Sequence, residues 1–526
     1  MGAALLCALA AVGLGAASLE TEGKQWWSHV EALASDSMEG RDTGSEGHRR
    51  AAQYIAQQFE RAGLKAAGTA GYIQPVPFEV RKLVESGSGL ELVRDGKTQP
   101  LTLGEDAIIS MRVDPAPSVE APLVFAGYGF AVPELHYDDL AGEDLRGKII
   151  VTISGAPSNV PGPLRAHYQS AAERAVFLRR AGVLGVVSIL DPKNMDIPWR
   201  RMALARKHPA MALSDPSLSD SGAVKIGVAV NPERADAWFA GSGHTPAELL
   251  ALAQAGKPLP RFPIPAKLRA HTAVERSHVE SQNVAGMLPG SDPKLRNEYV
   301  VLTAHLDHVG TGEPIHGDRI YNGAMDNASG VASLIEMARH LSAAGTPPKR
   351  SVLFVAVTGE EKGLLGSKYF AAHPTVRAKA IVANINMDMF LPLFPLHSVV
   401  AYGLNESTLG NTLREVAAQQ GIEVKDDPEP QRNLFVRSDQ YSFIRRGIPA
   451  LALKVGFAAG SPEEKVAKQW LHDRYHAPSD DLQQPVDLNA AAAFDRLLEA
   501  LVISAANQPE RPHWNSNSFF KRFAER

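Results

Sequence analysis

Cysteine is nearly absent from this chain of 526 residues, since the only one is Cys7. The rest of the chain therefore has no disulfide and no thiol nucleophile, which excludes mechanisms that need either. Lys/Arg-rich runs interleaved with aromatic residues are also lacking, and the net charge is only −4, so a nucleic-acid partner is not expected. What the chain does have is 44% hydrophobic and 21% charged residues, which is typical of globular proteins with a large core. Its length predicts two to three domains.

The first residues, Met1–Ala17, form an apolar stretch that is rich in Ala and Leu and ends in small residues. This pattern predicts a signal peptide over residues 1–17 and, with it, export to a periplasm or to the outside of the cell. No Lys or Arg precedes the apolar stretch, so an apolar N-terminal helix is the alternative interpretation. The stretch is too short for a stable transmembrane anchor.

The C-terminal half of the chain alternates between two periodicities. Apolar runs of strand length occur at Tyr299–Ala304, Ser351–Val357 and Ile381–Met387, and helical spacing separates them at Ser329–Ala344 and Leu364–His373. Such alternation predicts an α/β fold with a mainly parallel mixed sheet and helices on both of its faces.

Residues 118–265 have a different character. They contain short strands bounded by glycines, a helix over Ala171–Ala181 and a proline-dense segment, Gly256–Pro263, that predicts a linker. We therefore predict a smaller β-rich domain over 118–265, inserted into a discontinuous domain formed by 18–117 and 266–510. Residues 511–526 would be a C-terminal tail.

Polar clusters follow the apolar runs of the C-terminal half. They are His305–Asp307, Asp326–Asn327, Glu360–Glu361 and Asp388, and His476 follows far downstream. Because open α/β sheets bind their ligands outside the carboxyl ends of the strands, we expect these side chains to meet. Imidazole nitrogens and carboxylate oxygens bind zinc, and a paired site needs one carboxylate that can bridge. The set predicts a paired zinc site, in which His305 and Glu361 would complete the shell of one ion and Asp388 and His476 that of the other.

Individual residues of the set suggest separate roles. Asp326, a short carboxylate in a turn before a helix, suits the bridging position, although it could instead be the N-cap of the helix that starts at Ser329. The adjacent Glu360 and Glu361 side chains leave the backbone in different directions. One of them can therefore bind metal while the other stands off it as a general base.

The remaining polar residues near the set are interpreted as follows. Asp307 lies two residues after His305 and is predicted to accept its second imidazole N–H, which fixes the tautomer of a metal-binding histidine. His308 and His316 are predicted to be loop histidines outside the site, and His472 a surface residue.

These motifs resemble the M28 family of zinc aminopeptidases and carboxypeptidases. The matching segments are His-Leu-Asp at 305–307, Asp-Asn-Ala-Ser-Gly at 326–330, Glu-Glu at 360–361, Met-Asp-Met at 387–389 and Tyr-His-Ala-Pro-Ser-Asp at 475–480. The resemblance covers residues 25 to about 110 and 279 to about 506, and the region between them resembles an inserted protease-associated domain. It implies the fold of zinc peptidases and phosphorylase/hydrolase-like proteins.

The resemblance also implies a role for each residue of the set. Two zinc ions per chain would be held by His305, Asp326, Glu361, Asp388 and His476. Asp326 would bridge the two ions, Glu360 would be the general base, and Asp307 would support catalysis beside His305.

One loop departs from the family pattern. The run Ser438-Asp439-Gln440 has Gln440 where the family commonly has His, and Phe435 stands where some members have Tyr. Ser438 and Asp439 are still expected near the substrate. Tyr475 is the candidate donor to the oxyanion, because larger relatives use the Tyr before the last metal ligand. The alternative is that Tyr475 packs in the core with its hydroxyl bonded to backbone.

The sequence thus predicts an exported di-zinc exopeptidase that acts on peptides, and it favours an aminopeptidase. Three alternatives stay open: a zinc carboxypeptidase, a glutaminyl-cyclase-like acyltransferase that uses one zinc, and a non-catalytic receptor-like homologue. The inserted domain and the complete set of five ligands count against the acyltransferase. The filled ligand and base positions count against the receptor.

Overall fold

The computed structural model describes residues 19–142, 144–195, 197–220, 224–432 and 434–525. The predicted signal peptide and Cys7 lie outside this part of the chain. Two compact units are present. Of the described residues, the first unit comprises 19–76, Glu280–Pro430 and 434–525, and the second comprises those within Pro77–Val279 together with 431–432.

The strands within the described residues are numbered in chain order. They are β1 (Lys65–Ala66), β2 (Ile73–Leu83), β3 (Gly89–Arg94), β4 (Lys97–Leu101), β5 (Ala107–Ile109), β6 (Ser118–Ala126), β7 (Ala131–Val132), β8 (Tyr137–Asp138), β9 (Ile149–Ile153), β10 (Gly185–Ile189), β11 (Ala210–Leu213), β12 (Ile226–Val230), β13 (Arg261–His271), β14 (Val274–Leu288), β15 (Tyr299–His305), β16 (Gly310–Ile315), β17 (Asp318–Tyr321), β18 (Ser351–Val357), β19 (Ile381–Asn386), β20 (Ser398–Tyr402), β21 (Glu423–Lys425) and β22 (Ala450–Val455).

The α-helices of the same residues are numbered likewise. They are α1 (residues 19–33), α2 (Glu46–Arg61), α3 (Gly162–Gln169), α4 (Ala171–Ala181), α5 (Trp199–Met202), α6 (Asp236–Phe239), α7 (Pro246–Gln254), α8 (Ser329–Ala343), α9 (Leu365–Ala372), α10 (Thr408–Gln419), α11 (Gln440–Ile444), α12 (Pro462–Asp473) and α13 (Leu488–Asn507).

The first unit is built on a mixed sheet whose strands run in the order β14-β18-β15-β19-β22-β20-β21, with β1 beside β14. The four central strands, β18, β15, β19 and β22, are mutually parallel. Strands β14 and β20 flank them in antiparallel pairing. This confirms the predicted α/β class, and the predicted helices and strands of this unit lie within one or two residues of those observed.

Continuous apolar runs form the central strands because both faces of the sheet are covered. Alternate residues of β15 face opposite cores. Val300 and Leu302 join the larger core, which also holds residues of α1, α2, α8 and α13. Val301 joins the smaller one, where it lies with Phe370 of α9 and Phe443 of α11. The covered sheet leaves its strand ends as the place for polar side chains.

The second unit has its own sheet, in the order β4-β3-β13-β6-β9-β10-β12-β5. Strands β6, β9, β10 and β12 are parallel to one another, and the pairs at both ends of the sheet are antiparallel. Its core includes Phe125 and Trp238, both fully buried. This β-rich architecture agrees with the predicted β-rich insert. Its identity as a protease-associated domain stays a prediction.

The second unit contains the whole predicted insert, 118–265, and extends beyond it on both sides. Strand β13 is the reason, because it pairs with β3 as well as with β6 and so draws residues before 118 and after 265 into one sheet. The predicted linker also ends earlier than expected. Arg261, Phe262 and Pro263 already belong to β13, where they pair with the end of β6.

No helix within the described ranges has both the length and the apolar character that crossing a membrane requires. The longest, α13, is instead an element of the core of the first unit.

Helix α13 buries an acidic residue, Asp495, which is 2% exposed. Burial raises the pKa of the Asp495 carboxyl well above its usual range, the Ser333 hydroxyl opposes that rise, and the nearby charge of Glu336 adds to it. Ser333 also accepts a hydrogen bond from Trp26 Nε1 at 3.1 Å. The carboxyl therefore keeps its proton where an exposed Asp has lost it.

Asp495→Asn should therefore become progressively more stable than the wild type as the pH rises. A carboxyl whose pKa is raised on folding stabilises the folded chain below its unfolded pKa, about 3.9, and this contribution is lost as the pH climbs through the folded pKa. Asn imitates the neutral acid at every pH. Urea unfolding of both proteins between pH 5 and 9 measures the difference, and a difference that does not change with pH would contradict the prediction.

Candidate metal centre

The predicted polar clusters meet at one edge of the first unit's sheet. His305 is the last residue of β15, Glu360 and Glu361 follow β18, and Asp388 follows β19. These three strands are adjacent and parallel, so their carboxyl ends lie side by side. The topology alone thus brings three of the four clusters together.

Asp326 reaches the same place from a turn. Residues Ala324–Ala328 form one wide turn before α8, and Asp326 has non-helical dihedral angles (φ −114°, ψ 85°). The residue in the N-cap position of α8 is Ala328. The alternative interpretation of Asp326 as a helix cap is therefore wrong, and its carboxylate is free to face the strand ends.

The two oxygens of Asp326 face different histidines. Its Oδ1 lies 3.3 Å from His305 Nε2, which is also 3.4 Å from Asp388 Oδ1. Its Oδ2 lies 3.3 Å from His476 Nε2, which is also 3.1 Å from Glu361 Oε2. The structure thus brings all five predicted metal residues together as two pairs that share Asp326. The predicted pairing of His305 with Glu361 and of Asp388 with His476 is wrong, since His305 lies beside Asp388 and His476 beside Glu361.

The donor atoms fit a metal centre. Two groups, His305 with Asp326 and Asp388 and His308 with Asp326 and Glu361, each place their donor atoms within 4.8 Å of one another. Imidazole nitrogen and carboxylate oxygen suit zinc, and they also suit cobalt or manganese. A carboxylate common to both groups is the donor that a paired site requires.

His308 was expected to be a loop histidine outside the site, and this expectation is wrong. It is fully buried, and its Nδ1 lies 2.9 Å from Glu361 Oε1 and 3.8 Å from Asp326 Oδ2. The turn before Asp326 can pass its ring closely because Gly323 has φ +62°, and a Cβ there would lie 2.5 Å from His308 Cγ. The sequence feature that could have indicated this role is the position of His308, three residues after His305 at the end of a strand.

Asp307 supports the site through atoms other than the predicted ones. His305 Nδ1 donates to the backbone carbonyl of Asp307 at 3.1 Å, whereas the Asp307 carboxylate is 3.9 Å away. The carboxylate instead accepts from the Thr43 hydroxyl at 2.9 Å and from the Glu360 backbone N–H at 3.1 Å. Asp307 therefore joins the His305 loop to the Glu360 loop, and the tautomer of His305 is set by main chain.

Asp480 holds the Asp326 turn, a role that the sequence did not reveal. Its two carboxylate oxygens accept from the backbone N–H groups of Met325, at 2.9 Å, and Asp326, at 3.0 Å. Because Asp480 lies four residues after His476, one short segment supplies both a histidine and the clamp for the shared carboxylate. On the opposite side, the Asn327 amide donates to the carbonyl of Met387, next to Asp388, at 2.9 Å.

The charges of the cluster shift one another's protonation. Burial alone would lower the pKa of His305, but hydrogen bonds to Asp326 and Asp388 raise it well above its usual range. Burial would also lower the pKa of His476, but the charges and hydrogen bonds of Glu361 and Asp326 outweigh it and raise that pKa to about 10. Burial would raise the pKa of Asp326, yet His305 and His476 hold it well below its usual range. The carboxylates are thus ionised and available as donors.

Glu360 behaves differently from its neighbour Glu361. Burial raises the pKa of its carboxyl well above the usual range, the His305 imidazole opposes that rise, and the charges of Asp388 and Glu361 add to it. Among the described residues, Glu360 belongs to neither of the two donor groups. It therefore stands beside the cluster with a raised affinity for a proton.

The loop after β21 carries the predicted substrate residues. Ser438 is buried and accepts from the Asn386 amide at 2.9 Å, and Asp439 is fully buried. Gln440, which replaces the family's His, also accepts from that amide at 2.9 Å, and it donates to the carbonyl of Phe435 at 3.0 Å. The side chain of Gln440 thus takes part in hydrogen bonds that hold the fold.

The Tyr475 ring lies against the ring of His476, with centroids 4.0 Å apart.

The comparison with protein families agrees with this geometry. Residues 283–502 match the model of peptidase family M28, and they contain the whole cluster from His305 to Asp480. This segment belongs to peptidase family M28. The fold also resembles that of an aminopeptidase from Aneurinibacillus sp. strain AM-1, with a TM-score of 0.56 and 21% identity over 93% of this chain and 95% of that one.

Curated sequences of low identity also match this chain. A probable leucine aminopeptidase 2 of Aspergillus fumigatus is 28% identical over 57% of this chain and 58% of its own length. Leupeptin-inactivating enzyme 1 of Streptomyces exfoliatus is 29% identical over 44% and 50%. Aminopeptidase YwaD of Bacillus subtilis is 28% identical over 44% and 46%. The chain therefore spans about half the length of the curated relatives that it matches.

His308→Phe and His476→Phe should have different effects on zinc binding. We expect His308→Phe to keep the zinc content of the wild type at affinity lowered by about 10–100-fold, because it removes a donor that orients Glu361. His476→Phe should lower the zinc content itself, because its Nε2 faces both Asp326 and Glu361. Zinc titration against a competing chelator measures both. A lowered zinc content in the His308 variant and an unchanged one in the His476 variant would exchange these roles.

Proposed function

We propose that this chain is a di-zinc exopeptidase that removes single residues from the N-terminus of peptides. The observation that carries the proposal is the division of the Asp326 oxygens between the pair His305 and Asp388 and the pair His476 and Glu361. Paired metal ions are the arrangement that aminopeptidases use to bind and activate water at the scissile carbonyl.

In this proposal one zinc ion is held by His305, Asp326 and Asp388, and the other by Asp326, Glu361 and His476. Bound zinc would supply Lewis acidity and would lower the pKa of a water at the site. His308 donates its Nδ1–H to Glu361 Oε1. This leaves Glu361 Oε2, the oxygen that faces His476, as the metal donor.

Glu360 is the residue proposed to move protons. Its raised pKa and its place outside the donor groups suit a carboxylate that accepts a proton from the attacking water and later delivers it to the leaving amine. The hydrogen bond from its backbone N–H to Asp307 holds the loop that presents it.

Tyr475 is proposed to donate to the oxyanion of the tetrahedral intermediate. Burial raises the pKa of its phenol well above the usual range, and the charges of Asp326 and Glu361 add to that rise, so the hydroxyl keeps its proton. Its ring is held against His476. A protonated hydroxyl beside the cluster is the donor that an oxyanion needs.

The N-terminal direction of trimming is proposed from the relatives, several of which are named as aminopeptidases. A carboxypeptidase is the second candidate on the same site. The complete set of five metal residues and Glu360 argues against both a single-zinc acyltransferase and a non-catalytic receptor.

Export to a periplasm or to the cell exterior is also part of the proposal. It is supported by the apolar stretch Met1–Ala17, which resembles a signal peptide. Mass spectrometry of the intact protein from culture fractions would measure its compartment and its mature N-terminus. A full-length chain in the cytoplasm would contradict export.

Glu360→Gln should abolish turnover and leave zinc content near that of the wild type, because it removes a base and no metal donor. Loss of general-base assistance costs about 10²–10⁴-fold in rate. Glu361→Gln is the matched variant, and it should lower zinc content as well as activity. Metal analysis and peptide hydrolysis of both proteins measure this. Retained activity in both variants would contradict the mechanism.

The experiment that tests the function is a digest of a mixed peptide library, read by mass spectrometry. We expect ladders that shorten from the N-terminus one residue at a time in the presence of zinc, and none with Glu360→Gln. Ladders from the C-terminus would replace the aminopeptidase by the carboxypeptidase. Cyclised N-terminal glutamine without shortening would support the acyltransferase, and no product at all with zinc bound would support the receptor.

A further inference from the structure

Arg41 is a buried arginine that belongs to neither donor group of the metal centre. Its side chain is 1% exposed, and it lies in the short helical segment Asp36–Arg41 before α2, far in sequence from the cluster. A buried guanidinium is costly unless its donors are satisfied. Its partners therefore indicate why it is there.

The guanidinium of Arg41 bonds to backbone carbonyls of three separate segments. Nε donates to Leu306 at 3.0 Å, and Nη1 donates to Asn322 at 2.6 Å. Nη2 donates to Gly323 at 2.8 Å, and Nη1 also donates to Leu33, at the end of α1, at 2.6 Å. No side chain is among these four acceptors, so the contacts fix the course of the main chain.

The acceptor positions are those that carry the shared carboxylate and its histidine. Leu306 directly follows His305, and Gly323 lies three residues before Asp326. One rigid guanidinium thus sets the distance between the end of β15 and the Asp326 turn. The backbone of Arg41 adds a further contact, because its carbonyl accepts from the His308 N–H at 3.2 Å.

Charge supports the same role. Burial lowers the pKa of Arg41 to about 10, and the opposing charges of Asp480, Asp326, Asp307 and Glu361 limit that decrease. The next residue, Asp42, forms an ion pair with Lys362 Nζ at 2.6 Å, directly after Glu361. The Arg41–Asp42 pair therefore contacts the loops that carry His305, Asp326 and Glu361.

We propose that Arg41 is a positioning residue of the metal centre, which acts through the main chain of the His305 and Asp326 segments. The inference rests on the proposed function only in the part of its test that measures zinc affinity. Lysine cannot replace arginine here, because a compact ammonium lacks the planar fork of donors that reaches four carbonyls in fixed directions.

Arg350 offers a matched control. It is fully buried in the same unit, and it donates to Glu298 Oε2 at 2.8 Å and to backbone carbonyls near the end of α13. It directly precedes β18, whereas the cluster lies beyond the carboxyl end of that strand. Seven residues of strand place the two ends about 23 Å apart.

The test compares Arg41→Lys, Arg41→Gln and Arg350→Lys in the full chain. Amide hydrogen exchange, measured after chelation, should become faster over residues 306–308 and 322–328 in the Arg41 variants and should stay at the wild-type rate there in Arg350→Lys. Zinc affinity, measured by chelator competition, should fall by about 10–100-fold in the Arg41 variants alone. The melting temperatures of all three variants should fall, because the loss of any buried arginine destabilises the fold. A fall in melting temperature alone therefore does not indicate a role in the metal centre.

Three outcomes overturn the inference. Wild-type exchange and zinc affinity in a folded Arg41→Lys would do so, and so would an equal change in Arg350→Lys. If neither Arg41 variant folds while Arg350→Lys does, Arg41 is a general stabilising residue. A different outcome separates the two proposals: if the Arg41 variants show the changes in exchange and zinc affinity but the zinc-loaded wild type cleaves no peptide, the proposed function is overturned and this inference stands.

Discussion

The structure of the first unit depends on keeping several carboxylates close together in a largely buried place. Donor atoms of Asp326 and Asp388 lie within 4.8 Å of one another, as do those of Asp326 and Glu361, and like charges in a buried site repel strongly. Histidines compensate for part of this, since His305 and His476 each lie between two carboxylates. The guanidinium of Arg41 adds further positive charge close to Asp326 and Glu361. A fold that can hold such a concentration of charge has to fix every segment that carries it.

Two different devices supply that fixation. Parallel strands place His305, the Glu360–Glu361 pair and Asp388 by topology, because hydrogen-bonded neighbours must end at the same edge of a sheet. Asp326 lies in a turn, whose position depends on contacts with Asp480, Asn327 and Arg41. The strand ends are thus held by the core of the protein, and the shared carboxylate is held by polar contacts. Substitutions in the core should therefore affect stability first, whereas substitutions around the turn should affect the site first.

Much of this could be read from the sequence. The apolar runs of β15, β18 and β19 and the helical spacing of α8 and α9 gave element bounds close to those observed, because both faces of the sheet are buried and the patterns are strong. The convergence of His305, Asp326, Glu361, Asp388 and His476 followed from strand order and from the family resemblance. The β-rich character of residues 118–265 was visible in its glycine-bounded strands. Its true extent was not, because the pairing of β13 with β3 is a long-range contact.

The residues that were missed share one physical property, which is that their partners are main-chain atoms or lie far away in sequence. Arg41 bonds only to carbonyls with its side chain, and carbonyls carry no sequence signal. Asp480 accepts from main-chain N–H groups, so its carboxylate resembles any polar residue in a loop. His308 becomes part of the cluster only because Gly323 lets the turn approach its ring. The Asp307 carboxylate was predicted to lie near His305, which is correct, but to accept its imidazole N–H, which is wrong. The reason is that side-chain direction at a strand end is not set by spacing alone.

The clamp formed by Asp480 has a consequence for the order in which this protein matures during synthesis. The backbone N–H groups of the Asp326 turn bond to a carboxylate that lies 154 residues further along the chain. At translation rates of about 5–20 residues per second, this segment takes roughly 8–30 s to appear. During that interval the backbone N–H groups of Met325 and Asp326 lack the carboxylate that accepts from them in the folded protein. The core is also incomplete then, because α13 follows Asp480 in the chain, so both the core and the Asp326 turn of a nascent chain can be completed only near the end of synthesis.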